Sequence, residues 1–161
     1  MVNKLQLRER VLDQLRADLA LQTKAARLAR DEAISEESKP ENQYDTHSLE
    51  AGYLAEGQAR QAAEIEEGIA IIASLAVPEF PSGAPVALGA VAEVCDAEGR
   101  TERYFLCPRA GGLELEVSGR SFLVVTPQSP LGRQLLGRRV GDSVMRPGRR
   151  ASTPARIVAV V

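Results

Sequence analysis

Hydrophobic positions in the first half of the chain recur at alternating steps of three and four residues. Leucine and alanine dominate one series, at positions 5, 8, 12, 15, 19, 22, 26, 29 and 33, of which Arg8 and Gln22 are polar. A second series becomes rich in isoleucine toward its end, at positions 44, 48, 51, 55, 58, 62, 65, 69, 72 and 76. Such repeats are typical of helices that pair along a narrow seam. Because Pro40 separates the two series, the pattern predicts an antiparallel helical hairpin that reverses near residues 35–41.

After residue 76 the pattern changes to short apolar runs separated by glycine and proline. Strands are predicted at 86–95, 101–107, 113–117, 121–126, 142–145 and 156–161. Between the fourth and fifth strands, Ser129 as N-cap, Pro130 at the first helical position and Gly137 as the stop predict one short helix. The predicted class is α+β, with a coiled-coil hairpin at 1–76, a linker at 77–85 and an antiparallel sheet domain with one short helix at 86–161.

Composition fits this division. The 161 residues include only six aromatic side chains and no tryptophan, which suits a thin helical seam and a small sheet and excludes a large multidomain enzyme. The net charge of −2 separates into nine Lys/Arg against fourteen Asp/Glu in residues 1–76, and eleven Arg against eight acids in residues 77–161. Residues 31–50 alone hold seven carboxylates against Lys39. This acidic tip, near 35–45, is either a solvated turn or a site for a cationic partner.

The two cysteines and the lack of long apolar runs indicate the compartment. A hairpin closed by the turn at 96–99 would put Cys95 opposite residue 100 or 101, and Cys107 opposite about residue 88, so we expect two reduced thiols. No run of about 18 apolar residues occurs, and residues 1–10 are polar and charged. We expect a soluble cytoplasmic protein with no membrane contact.

Two stretches of sequence and the overall layout resemble the Gre transcript-cleavage factor family of bacterial transcription elongation factors. The run Glu-Asn-Gln-Tyr-Asp at 41–45 is similar to the family's Glu-Asn-Ala-Glu-Tyr. Residues 128–142 are similar to the family's Ser-Pro-x-x-x-Ala-Leu-Leu-Gly-Lys-x-x-Gly-Asp signature. The order of a coiled-coil arm followed by a sheet domain like that of FK506-binding proteins (FKBP-like) extends the resemblance over essentially the whole chain.

The resemblance implies an accessory factor, not an enzyme, that binds RNA polymerase core as a monomer and is nucleoid-associated through it. Ser129, Pro130 and Arg133 would bind the polymerase. The tip would enter the secondary channel, reach the nascent RNA 3′ end indirectly and promote cleavage of backtracked transcripts. Glu41, Asn42 and Asp45 would assist that reaction, with Glu36 and Glu37 as further candidates. The factor would have no cofactor of its own, and Glu41 would bind a magnesium ion shared with the polymerase.

One position departs from the family pattern. Cleavage-competent members carry Asp-x-x-Glu-Asn at the tip, and alignment on Glu41 and Asn42 places Ser38 where the aspartate belongs. A hydroxyl is a poor substitute for an anionic magnesium ligand. An alternative function is therefore a non-cleaving regulator that occupies the secondary channel. Two further alternatives are an isomerase or chaperone, which would need a more aromatic pocket than this sheet domain offers, and a structural coiled-coil adaptor.

Simpler roles stay open for single residues. Glu41 can stabilise the first turn of the second helix, and Asn42 can stabilise the reversal. Tyr44 lies on the seam and favours packing over base stacking, and His47 has no partners for a zinc site. The basic run at 146–150 predicts a loop that contacts RNA, an acidic protein surface or solvent.

Overall fold

The computed structural model describes residues 2–34, 47–146 and 152–161. The chain forms two compact units, one of Met1–Leu12 with Ile71–Val161 and one of Asp13–Ala70. The domain boundaries proposed above, at 76/77 and 85/86, stay a prediction. The α+β class is confirmed, since two long helices precede a six-stranded sheet and a short helix.

Two helices build the unit of residues 13–70. Helix α1 spans Lys4–Ile34 and α2 spans His47–Ala73, with 31 and 27 residues. A Cβ placed on Gly68 of α2 would lie 3.9 Å from Leu15 Cδ1 of α1. Residues 23–30 of α1 and 55–66 of α2 line one shared groove. Since residue 15 neighbours residue 68 and the 20s neighbour the 50s and 60s, the two helices pack antiparallel, as predicted.

The predicted seam is wrong at its first position. Leu5 is 57% exposed, whereas Leu7 and Val11 are fully buried. Leu7 and Val11 are four residues apart and therefore share one helix face. Both residues belong to the unit that contains the sheet. The start of α1 therefore buries the face that carries Leu7 and Val11, and Leu5 lies on a different face.

Basic side chains tie the start of α1 to the segment that follows α2. Lys4 Nζ donates to the carbonyl of Pro78 and lies 4.7 Å from the centre of the Phe80 ring. Arg8 Nη1 donates to the carbonyl of Leu75 over 3.1 Å. Burial lowers the pKa of Lys4, and the Glu79 carboxylate partly opposes this shift. These contacts join the first two turns of α1 to backbone carbonyls of the segment that follows α2.

The sheet contains six strands, in the order β3-β4-β2-β1-β6-β5. Their bounds are β1 Val91–Asp96, β2 Thr101–Leu106, β3 Glu114–Val117, β4 Arg120–Val125, β5 Ser143–Arg146 and β6 Thr153–Val160. The sheet is mixed, whereas the sequence predicts an antiparallel one, because β4 runs parallel to β2. Strand β3 pairs with the outer side of β4 instead of with β2. The chain therefore runs past the position of β4 and forms β3 first. It then turns back and forms β4 between β3 and β2, in the same direction as β2.

Both faces of the sheet are buried at its centre. One face, here called the Tyr104 face, carries Ala92, Val94, Tyr104 and Leu106, and packs with Leu131 and Leu135 of the short helix α3, Pro130–Leu135. On the opposite face, here called the Phe105 face, Val91, Phe105 and Val124 are at most 1% exposed. The buried apolar residues of this unit outside the sheet domain lie on α1, on α2 or just after α2: Leu7, Val11, Leu12, Ile72 and Leu75.

The structure confirms the expectation for the cysteines. Cys95 pairs in register with Thr101, and both thiols are free. The N–H of Cys107 donates to the carbonyl of Val125, away from β1. Burial raises the pKa of the Cys107 thiol to about 12, which suits an inert core residue.

The backbone of α3 comes very close to the backbone of Thr126, the residue that follows β4. A Cβ on Gly132 would lie 1.8 Å from the carbonyl oxygen of Thr126. We therefore expect Gly132→Ala to lower the free energy of unfolding of the sheet unit by about 3 kcal/mol or more, since the backbones must separate. Urea denaturation measures this change. Gly52→Ala is the control, because Gly52 is an exposed helical position with open space around it, and alanine there should stabilise by roughly 0.5–1 kcal/mol. Equal effects of the two substitutions would contradict the close approach.

Candidate functional site

The candidate metal-binding and reaction-assisting residues of the acidic tip lie outside the described residues. These are Glu36, Glu37, Ser38, Glu41, Asn42 and Asp45, together with Tyr44. The described helix ends on either side carry exposed carboxylates at Asp31, Glu32 and Glu50, and Glu50 lies in the first turn of α2. The acidic character predicted for residues 31–50 thus extends onto both described helix ends.

Small residues line the helix pair near the tip. Alanines form most of the groove shared by α1 and α2, at positions 26, 55, 59, 62 and 63. Short side chains let two helices approach closely. Short side chains therefore line the groove between the described parts of the two helices.

The short helix α3 carries the second predicted site. Ser129 is its N-cap, with φ −68° and ψ 155°, and its Oγ accepts a hydrogen bond from the N–H of Gly132 over 3.0 Å. The same hydroxyl donates to the carbonyl of Thr126 over 2.8 Å. Pro130 occupies the first turn, and Arg133 is exposed. The capping predicted from the sequence is confirmed, while a polymerase contact by these three residues stays a prediction.

A residue that the sequence did not single out braces this helix. The side-chain amide of Gln134 accepts from the N–H of Met145 over 2.8 Å and donates to the carbonyl of the same residue over 3.3 Å. Met145 lies on β5, which is an edge strand. Gln134 therefore occupies backbone groups that an edge strand would otherwise leave open. Pro130, Arg133, Leu136 and Met145 are exposed around this brace and form what we call the α3 surface.

The first residue of the basic run at 146–150 lies in a strand, whereas the sequence predicts a loop. Arg146 is the last residue of β5 and is 9% exposed, so its prediction as part of a loop open to RNA or solvent is wrong. Its guanidinium donates to Asp96 Oδ2 over 2.8 Å and to Glu102 Oε1 over 2.5 Å. The hydroxyl of Tyr104 donates to the other oxygen of Glu102. Residues 147–150 lie outside the described residues.

Asp96 is the centre of this charged cluster. Its Oδ1 accepts the N–H groups of Glu98 and Arg100, and its Oδ2 accepts both the Arg100 and the Arg146 guanidinium. Burial opposes ionisation of Asp96, but the hydrogen bonds from Arg100 and from the Glu98 N–H outweigh it and lower the pKa. The cluster joins the β1–β2 turn to the end of β5. Nothing in the local sequence distinguishes Arg146 from the other arginines of the run at 146–150. Its contacts with Asp96 and Glu102, which are distant in the sequence, do.

The described residues do not form a metal site or a membrane span. Among them, no group of three or more His, Cys, Asp or Glu side chains is placed to hold an ion. No helix within the described ranges is both long and apolar enough to cross a bilayer.

No family model matches the chain, and no curated protein sequence matches it. Among solved structures, the chain is similar to GreA factor homolog 1 (Gfh1) of Thermus thermophilus, with 24% identity, 96% of this chain and 94% of that chain covered, and a TM-score of 0.42. It is similar to Gfh1 of Thermus aquaticus with 23% identity, 94% and 92% coverage and a TM-score of 0.40. It is also similar to a prokaryotic transcription elongation factor GreA/GreB from Nitrosomonas europaea, with 21% identity, 60% and 78% coverage and a TM-score of 0.40.

The charged cluster predicts a definite pH dependence. The pKa of Asp96 is lower in the folded protein than the value of about 3.9 for an unfolded chain. Its ionised form therefore contributes stability that is complete above about pH 4 and is lost as the pH falls through the lowered pKa. We expect Asp96→Asn to destabilise at pH 7, and the difference from wild type to shrink progressively below about pH 4. Thermal unfolding at several pH values measures it, and a difference that does not change between pH 7 and pH 2 would refute this assignment.

Proposed function

We propose that the protein is an accessory transcription factor that binds bacterial RNA polymerase. More specifically, we propose that it acts through the secondary channel, in the manner of the Gre family. The α3 surface carries this proposal. Residues 128–142 resemble the family's signature, and within them a capped helix braced by Gln134 presents Pro130 and Arg133 to solvent.

The three motif residues have different tasks in this proposal. Both hydrogen bonds of the Ser129 hydroxyl are used inside the protein, so Ser129 positions the helix start. Pro130 and Arg133 are exposed and contact the partner. A guanidinium presents several donors in a fixed plane, which suits a carboxylate on the partner. Leu136 and Met145, which are partly exposed on the same surface, add apolar area, since a binding site needs an apolar centre beside its charges.

The acidic tip supplies the chemistry in this proposal. Glu36, Glu37, Glu41 and Asp45 offer carboxylate oxygens, which are the ligands that magnesium prefers, so the donor set fits this ion. Bound magnesium activates a water and stabilises charge during phosphodiester hydrolysis. Glu41 contributes a ligand, and Asn42 and Asp45 orient groups around it. Because magnesium needs only one or two protein carboxylates, this chain needs no complete site of its own.

Ser38 favours a second candidate function. It stands where the family pattern has the other carboxylate of the tip. A tip with one carboxylate at the required spacing binds the polymerase channel but holds a second magnesium ion poorly. In that case the protein regulates transcription by occupying the channel and does not promote cleavage.

Binding to the polymerase tests the α3 surface. We expect Arg133→Glu to weaken binding to RNA polymerase core by about tenfold or more, because it replaces a positive charge at the contact with a negative one. Fluorescence anisotropy of labelled full-length protein measures the affinity. Arg10→Glu, an equal charge change at an exposed position of α1, should leave it unchanged. Absence of binding by the wild type at micromolar concentration would refute the proposed function.

A transcript-cleavage assay on a backtracked elongation complex tests the tip. If the protein promotes cleavage, Glu41→Ala should lower the cleavage rate by at least about tenfold through loss of a metal ligand, while Glu64→Ala, an exposed position of α2, should not. If the protein is a non-cleaving regulator, the wild type should be inactive and Ser38→Asp should gain cleavage. Wild-type cleavage that is unaffected by Glu41→Ala would exclude Glu41 as a ligand.

A further inference from the structure

The sheet contains a gap between two neighbouring strands. Strands β2 and β4 begin at Thr101 and Arg120, but their shared register covers only residues 104–106 of β2 and 123–125 of β4. Within the part of the chain that the structure describes, the first three residues of each strand pair with no residue across this line. They are held from their outer sides, by β1 in the case of β2 and by β3 in the case of β4.

Backbone polar groups point into this gap. Along a strand, successive residues direct their N–H and C=O to alternate sides. The N–H groups of Leu106 and Val124 point away from the gap, to Ala90 and Leu113, and the N–H of Cys107 points across to Val125. By this alternation, Arg103 on one side and Ser121 on the other direct backbone groups into the gap. Such groups are a template for an added strand.

The gap opens into a groove whose apolar lining residues come from both faces of the sheet. The groove has a volume of about 940 Å³, and Tyr104, Leu115, Phe122 and Leu123 are among its lining residues. Helix α3 packs over another part of the Tyr104 face, while Glu114, Glu116 and Ser121 are exposed on that face at the groove. The volume is in the range of roughly 300–1,000 Å³ typical of binding pockets.

Charges in the groove are sorted by face. The cross-strand pairs Glu114–Leu123 and Glu116–Ser121 put both glutamates on the Tyr104 face. Glu102 is on the same face, since it lies two residues before Tyr104. The basic groove residues, Arg103 and Arg120, are on the Phe105 face, and Arg103 is paired with Glu93 over 3.0 Å. Glu102 is already bound by Arg146, so Glu114 and Glu116 supply the open negative charge.

We propose that this groove binds an extended segment of a partner protein that carries Lys or Arg at every second residue. The segment hydrogen-bonds to the backbone at Arg103 and Ser121, and its long basic side chains extend across β4 to reach Glu114 and Glu116 on β3. The residues between them face the Phe105 side and are apolar or acidic. A nucleic acid fits poorly, since its phosphates would meet the two glutamates on the open face. This surface is separate in sequence from residues 128–142, and the proposal does not depend on polymerase binding.

Peptide binding to the full-length protein tests the proposal. The probe is a fluorescein-labelled heptapeptide with Lys at odd and Val at even positions, and its matched control has the same composition in two blocks. We expect saturable binding of the alternating peptide, at least tenfold tighter than the block peptide. N-methylation of its backbone amides should weaken binding by at least tenfold, because the added strand loses its donors. Equal affinity for the three peptides would overturn the proposal. This comparison uses the wild-type protein alone.

Variants and hydrogen exchange locate the site. The double variant Glu114→Lys, Glu116→Lys should weaken binding at least tenfold, whereas Glu56→Lys, Glu64→Lys on the exposed surface of α2 should not. The peptide should slow exchange of the Arg103 and Ser121 amides and leave those of Leu106 and Val124 unchanged. Retained affinity in the groove variant, or tighter binding of a single-stranded oligonucleotide than of the peptide, would refute the assignment.

Discussion

Burial of both faces of one small sheet is the constraint on which the rest of the structure depends. Phe105 and Tyr104 are adjacent on β2 and point to opposite faces, and both are nearly inaccessible to solvent. A sheet of this kind requires a cover on each side. Helix α3 covers the Tyr104 face, and it lies so close to the carbonyl of Thr126, just after β4, that residue 132 must be glycine. Outside the sheet domain, the buried apolar side chains of the unit are Leu7, Val11 and Leu12 of α1, Ile72 of α2 and Leu75 just after it, whereas Leu5, on another face of α1, is exposed.

Side-chain contacts to β5 determine where α3 can present its exposed residues. Gln134 binds both backbone groups of Met145 from the helix, and Arg146 ties the end of the same strand to Asp96 and Glu102. Each interaction joins residues far apart in the chain. A buried ion pair adds little net stability compared with apolar packing, but loss of one partner is costly, so the pair favours one arrangement of β5. That arrangement places Arg133 and Met145 on one surface.

Periodicity predicted the elements whose partners lie nearby in sequence, and failed where distant contacts decide. The helix pairing and the cap at Ser129 follow from local spacing and side-chain chemistry, and both are confirmed. Strand β1 begins at Val91 and not at 86, because Gly89 has φ +82° and its N–H binds the carbonyl of Leu106. The parallel β2–β4 pair, the burial of Arg146 and the role of Gln134 depend on residues more than ten positions away. No local pattern distinguishes them from ordinary strand, loop and surface positions.

Position 38 matters because the proposed function assigns binding and metal chemistry to different parts of the chain. In the proposed function, affinity comes from the α3 surface and the reaction comes from residues 35–46, which belong to different parts of the chain. Magnesium accepts ligands from two proteins at once, so one carboxylate more or less at the tip changes how well the ion is held and leaves the α3 surface unchanged. A substitution at position 38 can therefore convert a cleavage factor into a regulator without a change of fold or of binding surface.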